Sequence, residues 1–178
     1  MNMNKKILSA TIEALKIFSH KRFYSAERGY QGKFYQLLHN VLDRAKILND
    51  KIILEQEYQK SARHHLPEDQ RPDIVLHIPA EFHNLNVDEG NFAVFALKRQ
   101  ATKAEAEDDF RKLNHMFEHL KYPLGIFINI NSNLHRLELY KGNYKNIIHS
   151  FAVWLEDDEV KVTHAFWRDE NDIAEREY

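Results

Sequence analysis

Charged side chains stand at the ends of apolar segments in this chain, where a β-sheet would present them along one edge. Asp73 comes directly before the apolar run 74–76, and Lys98 comes directly after the almost unbroken apolar run 92–97. If the two runs pair as a hairpin, Asp73 and Lys98 lie near the same end of the sheet. Carboxylates ligate hard cations, and an ammonium group stabilises negative charge that develops in a reaction. The pair is therefore the first candidate site in the sequence.

A second acidic residue, Glu27, stands in the first turn of a predicted helix, with Gln31 one turn later. Each charged residue also has a plain structural interpretation. The helix dipole favours an acid in a first turn, Asp beside Pro is common in turns, and a Lys at a strand end reaches solvent. Gln31 is interpreted as a helix-surface residue, with a role in lining the site as the alternative. The joint pattern of Glu27, Asp73 and Lys98, rather than any one of them, indicates a site.

Helical periodicity predicts three helices that would position these residues. The first is amphipathic, opens the chain and ends before residues 20–24, which break it. The second begins near Ser25, a plausible N-cap, and ends before Asn49. The third opens with Thr102 and Glu105, which have the spacing of a capping box, and a proline stops it.

Strand-like segments account for most of the remaining chain, and turn residues bound them. The predicted strands are 52–58, 73–78, 92–97, 124–130, 134–140, 147–155 and 160–166. Polar loops are expected at 61–72 and 82–91, a turn at 131–133 and an acidic turn at 156–159. The charged tail 169–178 is expected to fray.

The order of these elements predicts an α/β or α+β fold, with a β-sheet flanked by helices. A chain of 178 residues has the size of one ordinary domain. Within a single domain 1–178, N-terminal helices would occupy 4–48, the sheet and helix core 51–141, and the C-terminal strands 146–168.

The residues of the candidate site resemble the motif of the PD-(D/E)XK nuclease superfamily, which has the restriction-endonuclease-like fold. The resemblance implies an α/β fold with a central mixed β-sheet flanked by helices. In that family a helix supplies a Glu, one strand begins with Pro-Asp, and the next strand ends in Glu-x-Lys. The matching residues here are Glu27, Pro72-Asp73 and Ala96-Leu97-Lys98, with Gln100 matching the extended Glu-x-Lys-x-Gln form. The resemblance covers most of the chain and implies a metal-dependent endonuclease that hydrolyses phosphodiester bonds in DNA.

The resemblance also implies a role for each residue. Asp73 and the carbonyl of Leu97 would ligate Mg²⁺ or Mn²⁺. Glu27 would hold a metal-bound water or a second cation. Lys98 would orient the attacking water and stabilise the developing charge, and Gln100 would complete the catalytic set.

Ala96 departs from the family pattern, because a Glu or Asp that ligates the metal normally stands at this position. The site then lacks one formal charge and one ligand, so we expect metal affinity and turnover to fall severely. An engineered Glu→Ala replacement or a recent loss explains the alanine, and so does older degeneration to a binding module. The remaining explanations are a misassigned motif and a carboxylate that has migrated elsewhere. Glu55 and Glu57 are candidates for migration, but a solvated strand face is the preferred interpretation of both.

His115, Glu118 and His119 match the His-x-x-Glu-His pattern of inverted zinc peptidases. The spacing puts both histidines on one helical face, but that face lies beside the apolar stripe, as on an ordinary solvated helix. A third ligand would need a companion helix, whereas the remaining chain is strand-like. This pattern, like His64-His65 in a polar loop, is therefore not interpreted as a metal site.

Basic residues concentrate in the N-terminal third of the chain. Residues 1–63 contain 12 Lys and Arg against 6 Asp and Glu, and the rest contains 13 against 21. The cations that flank the candidate site are Lys21, Arg22, Arg28, Lys33, Arg99 and Lys103. A charge run is usually a solvated face, but beside such a site these side chains would suit the DNA backbone, whose binding is driven by counterion release.

Amino-acid composition limits the kinds of site and the cellular location that the sequence allows. The chain contains no Cys, which excludes disulfides and thiolate zinc sites, and no apolar run approaches the roughly 20 residues that span a bilayer. The N-terminus lacks a continuous apolar signal core, so we expect a cytoplasmic protein with no membrane partner.

The expected partner is DNA, in restriction or phage defence, with a homodimer or a defence-system subunit as a further partner. The alternatives are a non-catalytic nucleic-acid- or protein-binding module on the same fold, and a purely structural interaction protein.

Overall fold

A computed structural model describes residues 2–56, 72–79 and 90–178. Within these ranges it contains a seven-stranded mixed sheet whose strands lie side by side in chain order. The strands are β1 (Ile53–Gln56), β2 (Ile74–His77), β3 (Asn91–Arg99), β4 (Gly125–Ile130), β5 (Ile148–Glu156), β6 (Glu159–Trp167) and β7 (Ile173–Glu177). Helices flank the sheet, so the predicted α/β class with a central mixed sheet is confirmed.

Strand direction changes within the sheet. β3, β4 and β5 run parallel, whereas β1, β2 and β3 are antiparallel neighbours, as are β5, β6 and β7. Ile74, the first residue of β2, is opposite Phe95 of β3. Because β2 is antiparallel to β3, its start lies beside the carboxyl end of β3. This pairing brings Asp73 to the same end of the sheet as Lys98, as the hairpin interpretation expected.

Helices cover both faces of the sheet in the described part of the chain. They are α1 (Met3–Ile17), α2 (Lys21–Tyr24), α3 (Glu27–Arg44), α4 (Lys103–Leu120) and a 3₁₀ helix (Leu137–Leu139). The first three pack on the face that presents Phe95 and Leu97, and α4 packs on the face that presents Val94 and Ala96. Alternate residues of β3 therefore enter different cores, as the two-residue period of a strand requires.

The ends of α4 follow from local chemistry. The Thr102 hydroxyl accepts a hydrogen bond from the backbone N–H of Glu105, and the Glu105 carboxylate accepts one from the Thr102 N–H. This is the predicted capping box. At the other end Lys121 adopts a left-handed backbone with φ of 52°, which ends the helix. Between these two ends, α4 packs over β3 and β4 with its buried stripe facing the sheet.

The predicted strand at 134–140 is wrong. This segment contains the 3₁₀ helix and forms part of the crossover between the parallel strands β4 and β5. Because β4 and β5 already pair with each other, the crossover cannot insert a strand between them. Side chains satisfy its backbone instead. Asn129 donates to the carbonyl of Leu134, and Ser150 donates to the carbonyl of His135.

Two further boundaries differ from the prediction. Ser25 is not the N-cap of the second long helix, since α3 begins at Glu27 without a side-chain cap. The Ser25 hydroxyl donates to the carbonyl of Arg22 and closes α2, which forms where a break was expected. The tail is ordered as a strand, because β7 pairs with β6. Charged residues suit such an exposed edge strand, which they protect from pairing with another chain.

The other strand predictions agree with the structure to within two residues wherever it describes them. The acidic turn between β5 and β6 is also confirmed, with positive φ at Asp157 and Asp158. Predictions that concern Glu57, Tyr58 and His64-His65, and most of the two polar loops, lie outside the described residues. Among the helices that the structure describes, none combines the length and the apolar character needed to cross a membrane.

Candidate active site

Glu27, Asp73 and Lys98 meet at the carboxyl end of β3. Lys98 Nζ lies 3.7 Å from Glu27 Oε1. Asp73 Oδ2 accepts a 2.6 Å hydrogen bond from the backbone N–H of Leu97, the residue before Lys98. Three elements position these side chains, because Glu27 opens α3, Asp73 immediately precedes β2 and Lys98 belongs to β3. The structure therefore brings together the three residues that the sequence pattern grouped.

The end of β2 explains why two carboxylates gather here. Phe95 is opposite the first residue of β2, so Leu97 and Arg99 extend beyond the described strand pairing. Asp73 accepts the N–H of Leu97, and Glu27 Oε2 accepts the N–H of Arg99 at 2.9 Å. The carbonyl of Leu97 points to this side as well, because the N–H and C=O of one strand residue face the same neighbour. The carbonyl of Leu97 and the carboxylates of Asp73 and Glu27 therefore lie along the same edge of β3.

Asp73 lies in a poorly solvated position. Burial raises the pKa of Asp73 to about 6, and the hydrogen bond from Leu97 opposes this rise. The negative charges of Asp109 and Glu27 contribute to this rise in pKa, whereas the positive charge of Lys98 opposes it. A carboxylate that is charged but weakly solvated gains stability from a nearby cation.

Gln31 and Arg99 hold the elements of the site together. Gln31 is buried, and its Nε2 donates to the carbonyl of Asp73 at 3.2 Å, so the helix-surface interpretation of Gln31 is wrong. Arg99 Nε donates to the carbonyl of Tyr24 at 2.9 Å. The Arg99 guanidinium is therefore engaged at the end of α2, and Gln31 ties α3 to the start of β2.

A cleft of about 150 Å³ opens between β3 and α4. The charged residues among its lining are Glu27, Asp73, Lys98, Asp109 and Lys112. Ala96 also lines the cleft and is only partly buried, on the same face of β3 as Lys98. A longer side chain at position 96 would project into this space, which the methyl group leaves open.

Sequence reasoning missed Asp109 and Lys112 of α4. Burial raises the pKa of Asp109, and the charges of Lys112 and Lys98 oppose the rise. The sequence did contain a signal, because Asp109, Leu113 and Met116 stand at i, i+4 and i+7. A charged residue on the buried stripe of an amphipathic helix is unusual and indicates either a buried ion pair or a site.

Gln100 differs from the other predicted catalytic residues in that it does not line the cleft. It follows β3 directly, is exposed and has a left-handed backbone with φ of 50°. Its backbone N–H donates to the carbonyl of Ile130 at 2.8 Å. The positive φ turns the chain toward α4 and interrupts the alternation that Ala96 and Lys98 follow.

The cations predicted to bind DNA have different surroundings. Those with exposed side chains are Lys21, Arg22, Arg28 and Lys103. Lys21 Nζ lies 2.7 Å from Asp158, and Lys33 Nζ donates to Gln36 at 3.0 Å. Exposed pairs of this kind contribute little energy, so they would not prevent contact with phosphate. Arg99 differs from the others because its side chain is already bound to the backbone.

The other acidic and histidine candidates lie elsewhere. Glu55 Oε2 is 2.9 Å from His77 Nε2, so this candidate for a migrated carboxylate is paired outside the cleft. His115 and His119 have ring centroids 6.2 Å apart on α4. Among the described residues, no group of three or more His, Asp or Glu side chains is arranged to hold a metal ion. The peptidase pattern therefore has no support in the described geometry.

The donors in the cleft are chemically suited to a hard cation. They are the carboxylates of Glu27, Asp73 and Asp109, and the Leu97 carbonyl belongs to the same strand edge. Mg²⁺ in proteins is often held by only one or two carboxylates and retains several water ligands. The donors are of the oxygen type that hard cations take, although no three acidic side chains of the described residues are already arranged around one point.

Comparisons of this chain with protein-family models, with curated proteins and with solved structures gave no match. The geometry of the cleft is therefore the basis on which a function can be argued. Its distinguishing features are the carboxylates, the lysine and the alanine at the end of β3.

Proposed function

We propose that the cleft between β3 and α4 is a metal-dependent phosphodiesterase site of the PD-(D/E)XK type, on a restriction-endonuclease-like fold, and that its substrate is DNA. The observation that supports this proposal most is the meeting of Glu27, Asp73 and Lys98 from three separate elements. Metal-assisted phosphodiester hydrolysis needs carboxylates for the cation and a positive group for the developing charge. The strand end has both.

In this proposal each residue of the site has a defined chemical role. Asp73 and the carbonyl of Leu97 present oxygens to Mg²⁺ or Mn²⁺, which when bound neutralises phosphate charge and activates water. Lys98 Nζ holds the attacking water and stabilises the charge that develops on the phosphate. Glu27, 3.7 Å from Lys98 Nζ, keeps that ammonium group at the strand end and orients a second water.

Ala96 limits this chemistry, since it removes one carboxylate from the floor of the cleft. We expect weaker metal binding and much slower turnover in this protein than in a chain with an acid at position 96. An engineered replacement, a recent loss and an older degeneration all lead to this expectation.

The substitution Ala96→Glu tests the proposal. We expect Ala96→Glu to cleave plasmid DNA with Mg²⁺ or Mn²⁺ on the order of a hundredfold faster than the unmodified protein, and EDTA to abolish the cleavage. Ala96→Gln is the matched control, because it adds similar length without charge and should stay at the background rate. If Ala96→Glu cleaves neither DNA nor RNA with either metal, the catalytic proposal is wrong.

A non-catalytic nucleic-acid- or protein-binding module on the same fold is the alternative, and the alanine at position 96 is the observation that favours it. Such a module would bind DNA in a salt-dependent way, yet Ala96→Glu would not cleave. Counterion release predicts that replacing Arg22 and Arg28 by Ala lowers the salt dependence of binding, whereas Arg168→Ala near β7 does not. A purely structural interaction protein would bind no nucleic acid at any salt concentration.

The oligomeric state, the biological system and the cellular location belong to the same proposal. In this superfamily two active sites commonly cut the two strands of DNA, which favours a homodimer or a partner subunit in a restriction or phage-defence system. We place this activity in the cytoplasm, where DNA and Mg²⁺ are both available.

A further inference from the structure

We infer that Asp109 of α4 supplies the second carboxylate of the metal site, in the space that Ala96 leaves open. This inference rests on the proposed function, because it assigns a further ligand to the same cleft. It also changes what is expected of the unmodified protein. With Asp109 in this role, the site retains two carboxylates and binds a divalent cation without an acid at position 96.

The helix brings Asp109 to the correct face of the sheet. Asp109, Leu113 and Met116 follow one another at helical spacing, and all three line the cleft. Ala96 and Lys98 line it from the strand side. The Asp109 side chain therefore enters the same cleft as the Ala96 methyl group, although it belongs to a different element.

Burial distinguishes Asp109 from its neighbour Asp108. The Asp109 side chain is 15% exposed, whereas that of Asp108 is 45% exposed. Lys112 Nζ lies 2.7 Å from Asp108 and 3.4 Å from Asp109, so the exposed acid is its closer partner. A buried carboxylate with one long ion pair is incompletely compensated. A cation in the cleft would offset the cost of burying it.

The surrounding charges favour the same conclusion. Asp73 and Asp109 interact as like charges, and Lys98 attracts both of them. A divalent cation that both carboxylates contact would replace their repulsion with attraction. The carbonyl of Leu97 and water would complete the six oxygen ligands that Mg²⁺ prefers.

Mn²⁺ binding to the 178-residue chain tests this inference without requiring turnover. Isothermal titration calorimetry compares the unmodified protein with Asp109→Asn and Asp108→Asn. The second variant is the matched control, because it removes the same charge from the next residue of the same helix. We expect Asp109→Asn to weaken Mn²⁺ binding by at least about tenfold and Asp108→Asn to change it by less than about twofold. Circular dichroism melting checks that both variants are folded.

The Ala96→Glu background shows whether Asp109 acts as a metal ligand or as a structural residue. In the Ala96→Glu background, Asp109→Asn should lose little Mn²⁺ affinity, because the carboxylate on the strand takes over. A structural defect would persist in that background and would overturn the inference.

The remaining outcomes separate the two proposals. If Asp109→Asn binds Mn²⁺ as the unmodified protein does, or if Asp108→Asn is equally impaired, Asp109 is not the ligand and the proposed function stands. Binding by Ala96→Glu without binding by the unmodified protein overturns the inference alone. If neither protein binds Mg²⁺ or Mn²⁺, the proposed function fails as well.

Discussion

Asp73 combines a structural and a chemical role at a single carboxylate. One oxygen accepts the backbone N–H of Leu97, beyond the point where β2 pairs with β3. The charge of the same group lies in the cleft beside Lys98. The hydrogen bond needs only an oxygen acceptor, whereas a metal ion needs the negative charge. A substitution that keeps the oxygen and removes the charge can therefore separate the two roles.

Asp73→Asn in the Ala96→Glu background should retain stability and lose metal binding. The amide oxygen still accepts from Leu97, while the missing charge should weaken Mn²⁺ binding by at least about tenfold. Asp73→Ala should lose metal binding and also cost about 1–3 kcal/mol of unfolding free energy, because the Leu97 N–H is left unpaired. Urea unfolding and Mn²⁺ titration measure the two effects. Undiminished Mn²⁺ binding by Asp73→Asn would contradict the ligand role.

At the scale of elements, a buried amide joins β4 to the segments on either side of it. Asn129 Oδ1 accepts from the N–H of Ala101 at 2.9 Å, and Asn129 Nδ2 donates to the carbonyl of Leu134 at 2.7 Å. The first bond holds the link between β3 and α4, and the second holds the crossover that follows β4. Asn129 thereby helps to position α4, and with it Asp109, relative to the end of β3.

Asn129→Leu should lower the free energy of unfolding by about 2 kcal/mol or more, because it leaves the buried N–H of Ala101 without its acceptor. Urea unfolding monitored by tryptophan fluorescence measures the change. Asn133→Ala is the control, since Asn133 is exposed in the same crossover and its removal should cost no more than about 0.5 kcal/mol. Equal costs for the two variants would show that Asn129 does not act as the proposed bridge.

For the whole molecule, a histidine pair in β5 and β6 links stability to pH. His149 Nδ1 and His164 Nε2 are 2.9 Å apart, and a hydrogen bond between them requires one neutral ring as acceptor. Burial lowers the pKa of His149 to about 4. Burial, together with the positive charges of His149 and Arg176, lowers the pKa of His164 to about 3. The folded state therefore keeps both rings neutral in mildly acidic solution.

The unfolded chain takes up these protons near the ordinary histidine pKa of 6.5. Below that pH the unfolded state binds more protons, so the free energy of unfolding falls as the pH decreases from about 6.5 toward about 4. We expect His149 alone to account for about 2 kcal/mol between pH 7 and pH 5. Urea unfolding at the two pH values measures this change.

The matched variants for this pH effect are His149→Gln and His39→Gln. Gln at position 149 can still hydrogen-bond His164 but does not titrate, so the pH dependence should become smaller by this amount. His39 is exposed, and its replacement should leave the pH dependence unchanged. The histidine pair is not the source if His149→Gln responds to pH as the unmodified protein does.

Features that depend on neighbouring residues could be predicted from the amino-acid sequence. Apolar runs located most strands, and the spacing of Thr102 and Glu105 located the start of α4. The positions of Asp73 and Lys98 at the ends of adjacent runs were enough to indicate the candidate site. These signals are local, because periodicity, capping and turn chemistry act within a few residues.

Which distant side chains share the cleft was set by tertiary packing. The contact of α4 with β3 put Asp109 in the cleft. Gln31 of α3 is buried and donates to the carbonyl of Asp73, whereas Gln100, with its left-handed backbone, does not line the cleft. The crossover at 134–140 and strand β7 were likewise set by which strand edges were already paired. Such outcomes depend on contacts between segments far apart in the chain, which local pattern does not encode.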